Sequence, residues 1–290
     1  MKLFITGIEG FSGIHFSNYF KKFGYDVYGS SLTFNNKKIF KCDVTKKDEL
    51  FNVINTLKPD YIIHLAAVSF ANEDDFLNYY KVNTIGTQNL LNSINYNIKK
   101  VIIASSATVY GNQNSEVLDE SMSVNPNNHY GLSKFAAEQI AKNFFDKMPV
   151  VITRAFNYTG IGQNEKFLIP KIVAHYKNKA KTIKLGNLDV IREFNDVSFV
   201  CECYKRLLEK NVKNEIVNIA SGRGIRLLDV VQYMNEIAGY EIEVQVDKRF
   251  IRKNDIKKLI GSNKKLFSLI GEVKQKDFKQ TLKEMYEYSG

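Results

Sequence analysis

The first 155 residues alternate short apolar runs with amphipathic stretches, and this alternation restricts the fold more than any other feature of the chain. Several of the runs are apolar throughout, which is typical of parallel strands covered by helices on both faces. Strands are predicted at Lys2–Thr6, Asp26–Gly29, Ile39–Cys42, Tyr61–Leu65, Val101–Ser105 and Val150–Thr153. Helices are predicted near Ser12–Phe23, Lys47–Leu57, Phe76–Tyr96 and Tyr130–Asp146. Repeated strand–helix units of this kind predict an α/β fold with a doubly wound parallel sheet.

The pattern changes after Phe156, where the elements become shorter and less regular. The sequence therefore predicts a main domain over residues 1–156 and a smaller C-terminal lobe over residues 157–290. Some strands of the lobe are expected to return to the main sheet, so that both parts share one core.

Composition excludes several classes of function. The formal net charge is +10, but the lysines are spread along the chain without a dense basic block, so nucleic-acid binding is not expected. No apolar run approaches the roughly 20 residues of a membrane span, and the first run ends at Thr6, so a cytoplasmic protein is expected. Cys42, Cys201 and Cys203 lack the spacing of a metal site, and no metal is expected.

A glycine-rich loop follows the first predicted strand, with glycines at positions 7, 10 and 13. Because glycine has no Cβ, the chain can turn tightly there and approach a pyrophosphate, while the next helix offers free N–H groups. We therefore expect Gly7, Gly10, Phe11 and Gly13 to bind a dinucleotide at the start of a Rossmann domain.

The loop after the second strand often chooses between NAD(H) and NADP(H). Residues 29–32 read Gly-Ser-Ser-Leu and contain no acidic side chain that would bind ribose hydroxyls or repel a 2′-phosphate. Ser30, Ser31, Lys37 or Lys38 could meet that phosphate. The sequence therefore favours NADP(H), with NAD(H) as the alternative.

A YxxxK motif at Tyr130 and Lys134 carries the chemistry. Residues four apart lie on one face of a helix, so the phenol and the ammonium project together. A hydride step at a carbinol or ketone needs such a proton donor or acceptor, and the ammonium, with the oxidised nicotinamide close by, is expected to lower the pKa of Tyr130. Lys134 can also bond the cofactor ribose, while Ser106, near the end of the fifth strand, can orient a substrate carbonyl.

Together these motifs resemble the extended short-chain dehydrogenases (the NAD-dependent epimerase/dehydratase family) that modify nucleotide sugars. The matching stretches, in the family's order, are Cys42–Val44, His64–Ala67, Val82-Asn83, Ala104–Gly111, Asp119-Glu120, Pro126, Tyr130–Lys134 and Arg154–Asn157. The resemblance implies that Ser106, Tyr130 and Lys134 are catalytic. It implies further cofactor contacts at Asp43, Val44, Leu65, Ala66, Ala67 and Asn83. It also implies a sugar-diphosphate contact at Asn157 and a homodimer built on the Phe76–Tyr96 and Tyr130–Asp146 helices.

Three reactions are known on this scaffold: 4,6-dehydration, 4-epimerisation and keto-sugar reduction. Dehydratases of the family carry a carboxylate directly after the Ser/Thr, where this chain has Ala107 and Thr108. The segments Gly186–Val197, Asn218–Gly224, Arg252–Asp255 and Gly261–Lys264 resemble GDP-mannose dehydratases and GDP-4-keto-6-deoxy-mannose reductases. Arg192 and Arg252 suit phosphate or guanine contacts.

The expected function is therefore NAD(P)H-dependent reduction of the C4 keto group of a GDP-linked 4-keto-6-deoxy sugar. The alternatives are a nucleotide-sugar 4-epimerase, then a 4,6-dehydratase, then a non-catalytic NAD(P) sensor. Residues 271–275 lack the tryptophan and proline usual in the family, which leaves the sugar and the base open.

Overall fold

The computed structural model describes residues 1–69, 75–113, 115–247 and 257–289. Its main sheet has seven strands, namely β1 (Lys2–Thr6), β2 (Asp26–Ser31), β3 (Ile39–Lys41), β4 (Tyr61–His64), β5 (Lys100–Ser106), β6 (Val150–Ala155) and β11 (Glu215–Ile219). The strand order is β11-β6-β5-β4-β1-β2-β3, and every pair is parallel. The predicted doubly wound parallel sheet is confirmed, and all seven strands end at one edge.

Helices cover both faces of this sheet. On one face lie α1 (Phe11–Lys22), α7 (Val197–Glu209) and α9 (Lys264–Ile270), and on the other lie α2 (Lys47–Leu57), α4 (Gly86–Asn92) and α5 (His129–Lys142). Side chains of a strand alternate between faces. Leu3 and Ile5 of β1 accordingly pack in the first core, whereas Phe4 packs in the second.

The helical segment before β5 differs from the prediction. Instead of one helix over Phe76–Tyr96, the chain forms α3 (Phe76–Tyr79), a π-helical turn (Tyr80–Ile85) and α4. Helix α4 ends at Asn92, where the Ser93 hydroxyl donates to the Asn89 carbonyl 2.7 Å away. The following asparagine-rich stretch has low helix propensity, which explains the early end. Helix α5 likewise ends at Lys142 rather than Asp146.

The C-terminal lobe has its own core between α6 (Leu168–Lys177), α8 (Leu227–Ala238) and α10 (Phe278–Glu287). Its short strands pair as β7 (Tyr158–Thr159) with β10 (Asn195–Asp196), and β8 (Thr182–Leu185) with β13 (Glu243–Val246). A third sheet joins β12 (Ile225–Arg226), β9 (Ile191–Arg192) and β14 (Lys258–Leu259). Strand β11 and helix α7 follow residue 156 in the chain but pack in the main domain. No helix in the described ranges is both long and apolar enough to cross a membrane.

Candidate active site

The site lies where the strands of the main sheet end. The strand order reverses direction between β1 and β4, and a crevice forms at the carboxyl ends of strands at such a point. Thr6 pairs with Ser30 and with His64 in this edge, and Ser106 pairs with Ala155. The glycine loop, the loop after β2 and Ser106 therefore share one edge of the sheet.

The glycine loop after β1 fits a dinucleotide pyrophosphate. Gly7 has a φ of +69°, and a Cβ at Gly13 would lie 2.6 Å from the Ile8 Cα, so both positions require glycine. Helix α1 begins after Gly10, which has no side chain to satisfy the first N–H groups. The ring of Phe11 stacks on that of Tyr158 with centroids 6.2 Å apart. The tight turn and the free helix N-terminus form the cradle that a pyrophosphate needs.

A carboxylate that residues 29–32 did not lead us to expect lies against the loop after β2. Glu9, within the glycine loop, accepts hydrogen bonds from the Ser31 hydroxyl, the Leu32 N–H at 3.2 Å and the Thr33 hydroxyl at 2.9 Å. Burial raises the pKa of Glu9, but these hydrogen bonds outweigh it and hold the pKa below the usual value. The premise that no acidic group lies at this loop is therefore wrong, because the acid comes from a different part of the chain. An acidic residue inside the glycine loop was the only signal in the sequence.

The loop after β4 is fixed from below by a chain of hydrogen bonds. The Ala66 N–H donates to the Thr6 hydroxyl at 3.1 Å, and that hydroxyl lies 2.7 Å from Nδ1 of His64. Nε2 of His64 lies 3.2 Å from the Thr87 hydroxyl, which itself donates to the Asn83 carbonyl. The ring must then donate through Nε2 and accept through Nδ1, which is a neutral tautomer. Burial, with Lys134 nearby, lowers the pKa of His64 to about 3 and maintains that neutral state.

Asn83 supports the same loop instead of lining the edge directly. Its buried side chain accepts from the Val68 N–H at 2.8 Å and donates to the Val68 carbonyl and the Ser133 hydroxyl, each at 3.0 Å. The structure thus gives Asn83 a positioning role beneath the partly buried residues Leu65, Ala66 and Ala67. The π-helical turn that carries Asn83 is a kind of distortion frequently found at functional sites.

Asp43 and Val44 follow β3 at the same edge. The Asp43 carboxylate accepts from the Thr45 N–H at 2.9 Å, while its own N–H donates to Glu49 at 2.8 Å. Val44 is buried against Gly86, where a Cβ would lie 2.9 Å from the valine Cγ2. Asp43 therefore remains half-buried at the edge, and Val44 fixes the loop to α4.

The start of α5 brings Tyr130 to Ser106. The side chain of Asn128 caps this helix by accepting from the Gly131 N–H at 2.8 Å, which places Tyr130 in the first turn. A Cβ at Gly131 would lie 3.0 Å from the Thr108 carbonyl, so glycine lets α5 approach the 3₁₀ turn Ala107–Tyr110 closely. The Ser106 hydroxyl lies close enough to the phenol of Tyr130 to lower its pKa as a hydrogen-bond donor.

Burial is the largest influence on the pKa values of Tyr130 and Lys134. Burial raises the pKa of Tyr130 to about 12, although the hydrogen bond from Ser106 acts in the opposite direction. Burial also lowers the pKa of Lys134 to about 8, against the attraction of Glu138. The ammonium of Lys134 donates to the Ala104 carbonyl at 2.8 Å. Desolvation is thus the largest effect on the phenol. The lowering expected from Lys134 with an oxidised nicotinamide close by stays a prediction.

Thr108 is a functional residue that the sequence argument missed. Its hydroxyl donates to Oγ of Ser106 at 2.9 Å, and its N–H donates to the same oxygen at 3.2 Å. These bonds occupy the acceptor positions of Ser106 and leave its proton for the phenol or a substrate oxygen. The sequence does show a hydroxyl residue two positions after Ser106, but by itself Thr108 indicates only that the carboxylate of the family's dehydratases is absent there.

A buried ion pair beneath the triad was also missed. Both Glu138 and Arg154 are almost fully buried, and the carboxylate binds the guanidinium through Nε at 3.0 Å and Nη2 at 2.8 Å. The same carboxylate accepts from the Ser105 hydroxyl at 2.5 Å. The guanidinium lies over the Tyr110 ring, 4.8 Å from its centroid. This network joins α5, which carries Tyr130 and Lys134, to β5 and β6.

The predicted substrate residues lie farther along the chain. Asn157 is exposed two residues after Ala155, the β6 partner of Ser106. Arg192 is partly buried and donates to the Ile191 and Lys257 carbonyls at 2.9 and 3.3 Å. Arg252 lies outside the described residues. Within the described residues, no group of three or more His, Cys, Asp or Glu side chains could hold a metal ion.

The chain is similar to known proteins over nearly its whole length. A family model described as GDP-mannose 4,6 dehydratase matches residues 4–285. The GDP-6-deoxy-D-talose 4-dehydrogenase of Aggregatibacter actinomycetemcomitans is 36% identical, covering 99% of this chain and 97% of the relative. The GDP-6-deoxy-D-mannose reductase of Pseudomonas aeruginosa is 28% identical, covering 97% and 95%. The structure of RMD from Pseudomonas aeruginosa with NADPH has a TM-score of 0.86 and 27% identity, covering 98% of this chain and 97% of that one.

Proposed function

The chain belongs to the GDP-mannose 4,6-dehydratase family, and from this premise we propose that it uses NAD(P)H to reduce the C4 keto group of a GDP-linked 4-keto-6-deoxy sugar. The observation that carries the proposal is the approach of Ser106 to the phenol of Tyr130, one helical turn from Lys134 and without a carboxylate at positions 107 and 108. The similarity to a 4-dehydrogenase and to a reductase, both named for GDP-6-deoxy sugars, supports the same chemistry. Oxidation and reduction at C4 are one hydride transfer run in opposite directions.

The residues of the triad have separate roles in this reaction. Ser106 donates a hydrogen bond to the C4 carbonyl oxygen, since its acceptor positions are used by Thr108. Tyr130 then gives its proton to that oxygen as the charge develops, and its raised pKa ensures that the proton is present at neutral pH. Lys134 supplies a positive charge beside the phenol and binds the ribose. The bound nicotinamide supplies the hydride.

Dehydration is disfavoured despite the name of the family model. Removing a C5 proton and protonating the C6 hydroxyl needs further acid/base groups beside the triad. Ala107 is a buried methyl group, and the Thr108 hydroxyl is engaged with Ser106. Neither side chain can replace the carboxylate that the family's dehydratases carry.

A nucleotide-sugar 4-epimerase is the second candidate, because the same triad oxidises and reduces C4 in turn. An epimerase recycles its cofactor, whereas a reductase consumes one NAD(P)H for each product. A non-catalytic NAD(P) sensor is the last candidate. The presence of Ser106, Tyr130 and Lys134 argues against it, because a sensor does not need their chemistry.

The decisive experiment is a panel of GDP-, UDP-, dTDP- and CDP-linked 4-keto sugars with NADH and NADPH, followed by absorbance at 340 nm and by NMR of the product. We expect stoichiometric cofactor oxidation with a GDP-linked substrate. Tyr130→Phe should lower kcat by about 10²–10⁴-fold, the usual contribution of a general acid, while still binding the cofactor. Isomerisation without net oxidation would identify an epimerase, and absence of turnover with every keto sugar would contradict the reductase.

For the substrate, we propose that Asn157 contacts the sugar diphosphate and that Arg192 and Arg252 contact phosphate or guanine. The exposed position of Asn157 beside the end of β6 supports its role. For the cofactor, the glycine loop fits a nicotinamide dinucleotide of either type. Glu9 bears on the choice between NAD(H) and NADP(H), because its carboxylate lies at the end of β2.

We also propose a cytoplasmic homodimer. The helical surfaces of α3, the π-helical turn and α5 expose apolar side chains, namely Phe76, Leu77, Ile85 and Leu132. A cluster of such residues supports a protein interface. Leu77 is 55% exposed, and a charged side chain at this position should disrupt the proposed interface. Leu77→Asp is expected to give a monomer in light scattering after size exclusion, whereas Val246→Asp, at an equally exposed site in the other lobe, leaves a dimer unchanged.

A further inference from the structure

We propose that Glu9 makes the cofactor site selective for NAD(H) over NADP(H), in place of the acidic residue that usually ends β2. The inference rests on the proposed function, since it assumes that the glycine loop binds a nicotinamide dinucleotide. In Rossmann domains an acidic side chain at this position accepts hydrogen bonds from the ribose 2′-hydroxyl of NAD(H). Here the strand ends at Ser31, and the carboxylate reaches the same place from the loop after β1.

The hydrogen bonds of Glu9 leave one acceptor position for a ligand. An ionised carboxylate has about four lone-pair positions. Oε2 accepts from the hydroxyls of Ser31 and Thr33, and Oε1 accepts from the Leu32 N–H. The remaining lone pair on Oε1 can accept from a ribose hydroxyl. The three donors also lower the pKa of Glu9, so its charge persists at neutral pH.

Three of the four side chains that could meet a 2′-phosphate, those of Ser30, Ser31 and Lys38, are buried or engaged elsewhere, while the fourth, Lys37, is exposed. The Ser31 hydroxyl donates to Glu9 and accepts from the N–H groups of Thr33 at 3.0 Å and Phe34 at 2.8 Å, so it has no free position. Ser30 is 1% exposed. The ammonium of Lys38 pairs with Asp26 at 2.6 Å, at the opposite end of β2 from the site.

A 2′-phosphate would therefore meet a negative charge without compensation from Ser30, Ser31 or Lys38. The phosphate carries close to two negative charges at neutral pH, while a 2′-hydroxyl carries none. At a separation of about 5 Å and a dielectric constant near that of water, Coulomb's law gives a discrimination of about tenfold, and more where the site excludes water. Repulsion of one ligand and a hydrogen bond to the other act in the same direction.

Direct binding measurements test the proposed selectivity for NAD(H) over NADP(H) without requiring catalysis. Dissociation constants are measured by calorimetry for 5′-AMP and 2′,5′-ADP, which differ only by the 2′-phosphate, and by fluorescence for NADH and NADPH. In the wild-type protein we expect the ligands without the 2′-phosphate to bind about tenfold more tightly or better. Glu9→Gln should reduce both ratios by about tenfold, and Glu9→Asp, which keeps the charge, should preserve much of the discrimination.

Glu49→Gln is the matched control, because Glu49 also accepts a backbone N–H at this edge but lies beside Asp43, away from the end of β2. It should leave the ratios unchanged. Wild-type protein that binds 2′,5′-ADP or NADPH as tightly as its partner ligand overturns the inference, and this result does not depend on whether any variant folds. Equal weakening of both ligands in a folded Glu9→Gln protein does the same. Failure of all four ligands to bind overturns the proposed function itself.

Discussion

The buried pair Glu138–Arg154 offers a sharp test of how the site is supported. Glu138→Gln keeps the shape of the side chain but removes its charge and turns one acceptor into a donor. The side chain of Arg154 is 4% exposed, and its Nε and Nη2 both donate hydrogen bonds to this one carboxylate. Removing one partner of a buried ion pair costs about 3–5 kcal/mol, because the other charge stays buried without compensation. The amide oxygen can still accept from Ser105 and from Nε of Arg154, but the amide NH₂ then faces the Nη2 donor, which adds to the loss.

That loss is a large part of the total stability of about 5–15 kcal/mol that is usual for a folded domain. We expect urea unfolding followed by circular dichroism to show a lower midpoint with an unchanged slope, and Tm to fall by on the order of 10 °C. The double variant Glu138→Met with Arg154→Met should be more stable than Glu138→Gln, because neither charge remains buried.

The exposed helical pair of Lys283 and Glu287, 3.8 Å apart, provides the control. Glu287→Gln should leave the urea midpoint unchanged, since exposed pairs contribute little. A Glu138→Gln protein as stable as this control would refute the reasoning. A second readout is kinetic: Glu138 raises the pKa of Lys134, which burial lowers to about 8. Its loss should therefore move any alkaline decline in activity that reports Lys134 to a lower pH.

Three further predictions concern the cofactor edge and the triad. Thr108→Val removes a hydroxyl that donates to Ser106, so kcat should fall about tenfold, the free-energy equivalent of one hydrogen bond, with little change in cofactor affinity. The pKa of His64 is about 3 in the folded protein against an ordinary value of 6.5. The unfolded chain therefore binds more protons on acidification, and stability should fall by about 2 kcal/mol between pH 7 and pH 5, a dependence that His64→Gln weakens. Gly13→Ala would bring a Cβ within 2.6 Å of the Ile8 Cα and should cost about 1–3 kcal/mol in urea unfolding.

Each of these has a matched comparison. Thr108→Ser keeps the hydroxyl and should keep most of kcat, and an equal loss in both variants would remove the hydrogen bond from the explanation. His129→Gln, at an exposed position, should leave the acid dependence as it is in the wild-type protein. Gly10 has an ordinary φ of −72°, and its Cβ would lie 3.4 Å from the Gly7 carbonyl oxygen. Gly10→Ala should therefore be better tolerated than Gly13→Ala, and the reverse order would contradict the packing argument.

The fold was predictable because local pattern and global architecture agree. Runs such as Tyr61–His64 are buried along their whole length, which only a sheet covered on both faces allows. The boundaries of α2 at Lys47 and Leu57 were predicted correctly. The helix before β5 was predicted less well, since periodicity does not distinguish an α-helix from one with a π-helical turn.

The site was only partly predictable, for a physical reason. Tyr130 and Lys134 lie on one helix as predicted, because their spacing along the chain sets their geometry, and the catalytic role of both residues and of Ser106 stays a prediction. Glu9 accepts hydrogen bonds from residues 22 to 24 positions away, and a tertiary contact of that kind produces no periodic pattern in the sequence. Residues 29–32 by themselves favour NADP(H), whereas the carboxylate of Glu9 reaches them from the loop after β1.

The protonation states of Tyr130 and Lys134 are those that the proposed reduction needs at neutral pH. A reductase must begin with a neutral phenol, and burial ensures this by raising the pKa of Tyr130 to about 12. Oxidation at C4 must begin with a proton acceptor, so it requires that the pKa of the phenol first fall, which a positive charge beside it would bring about. Lys134 has a pKa of about 8 and is charged at pH 7, but its ammonium donates to the Ala104 carbonyl. At neutral pH the phenol therefore carries the proton that the proposed reduction needs, and it acts as a base only after its pKa falls.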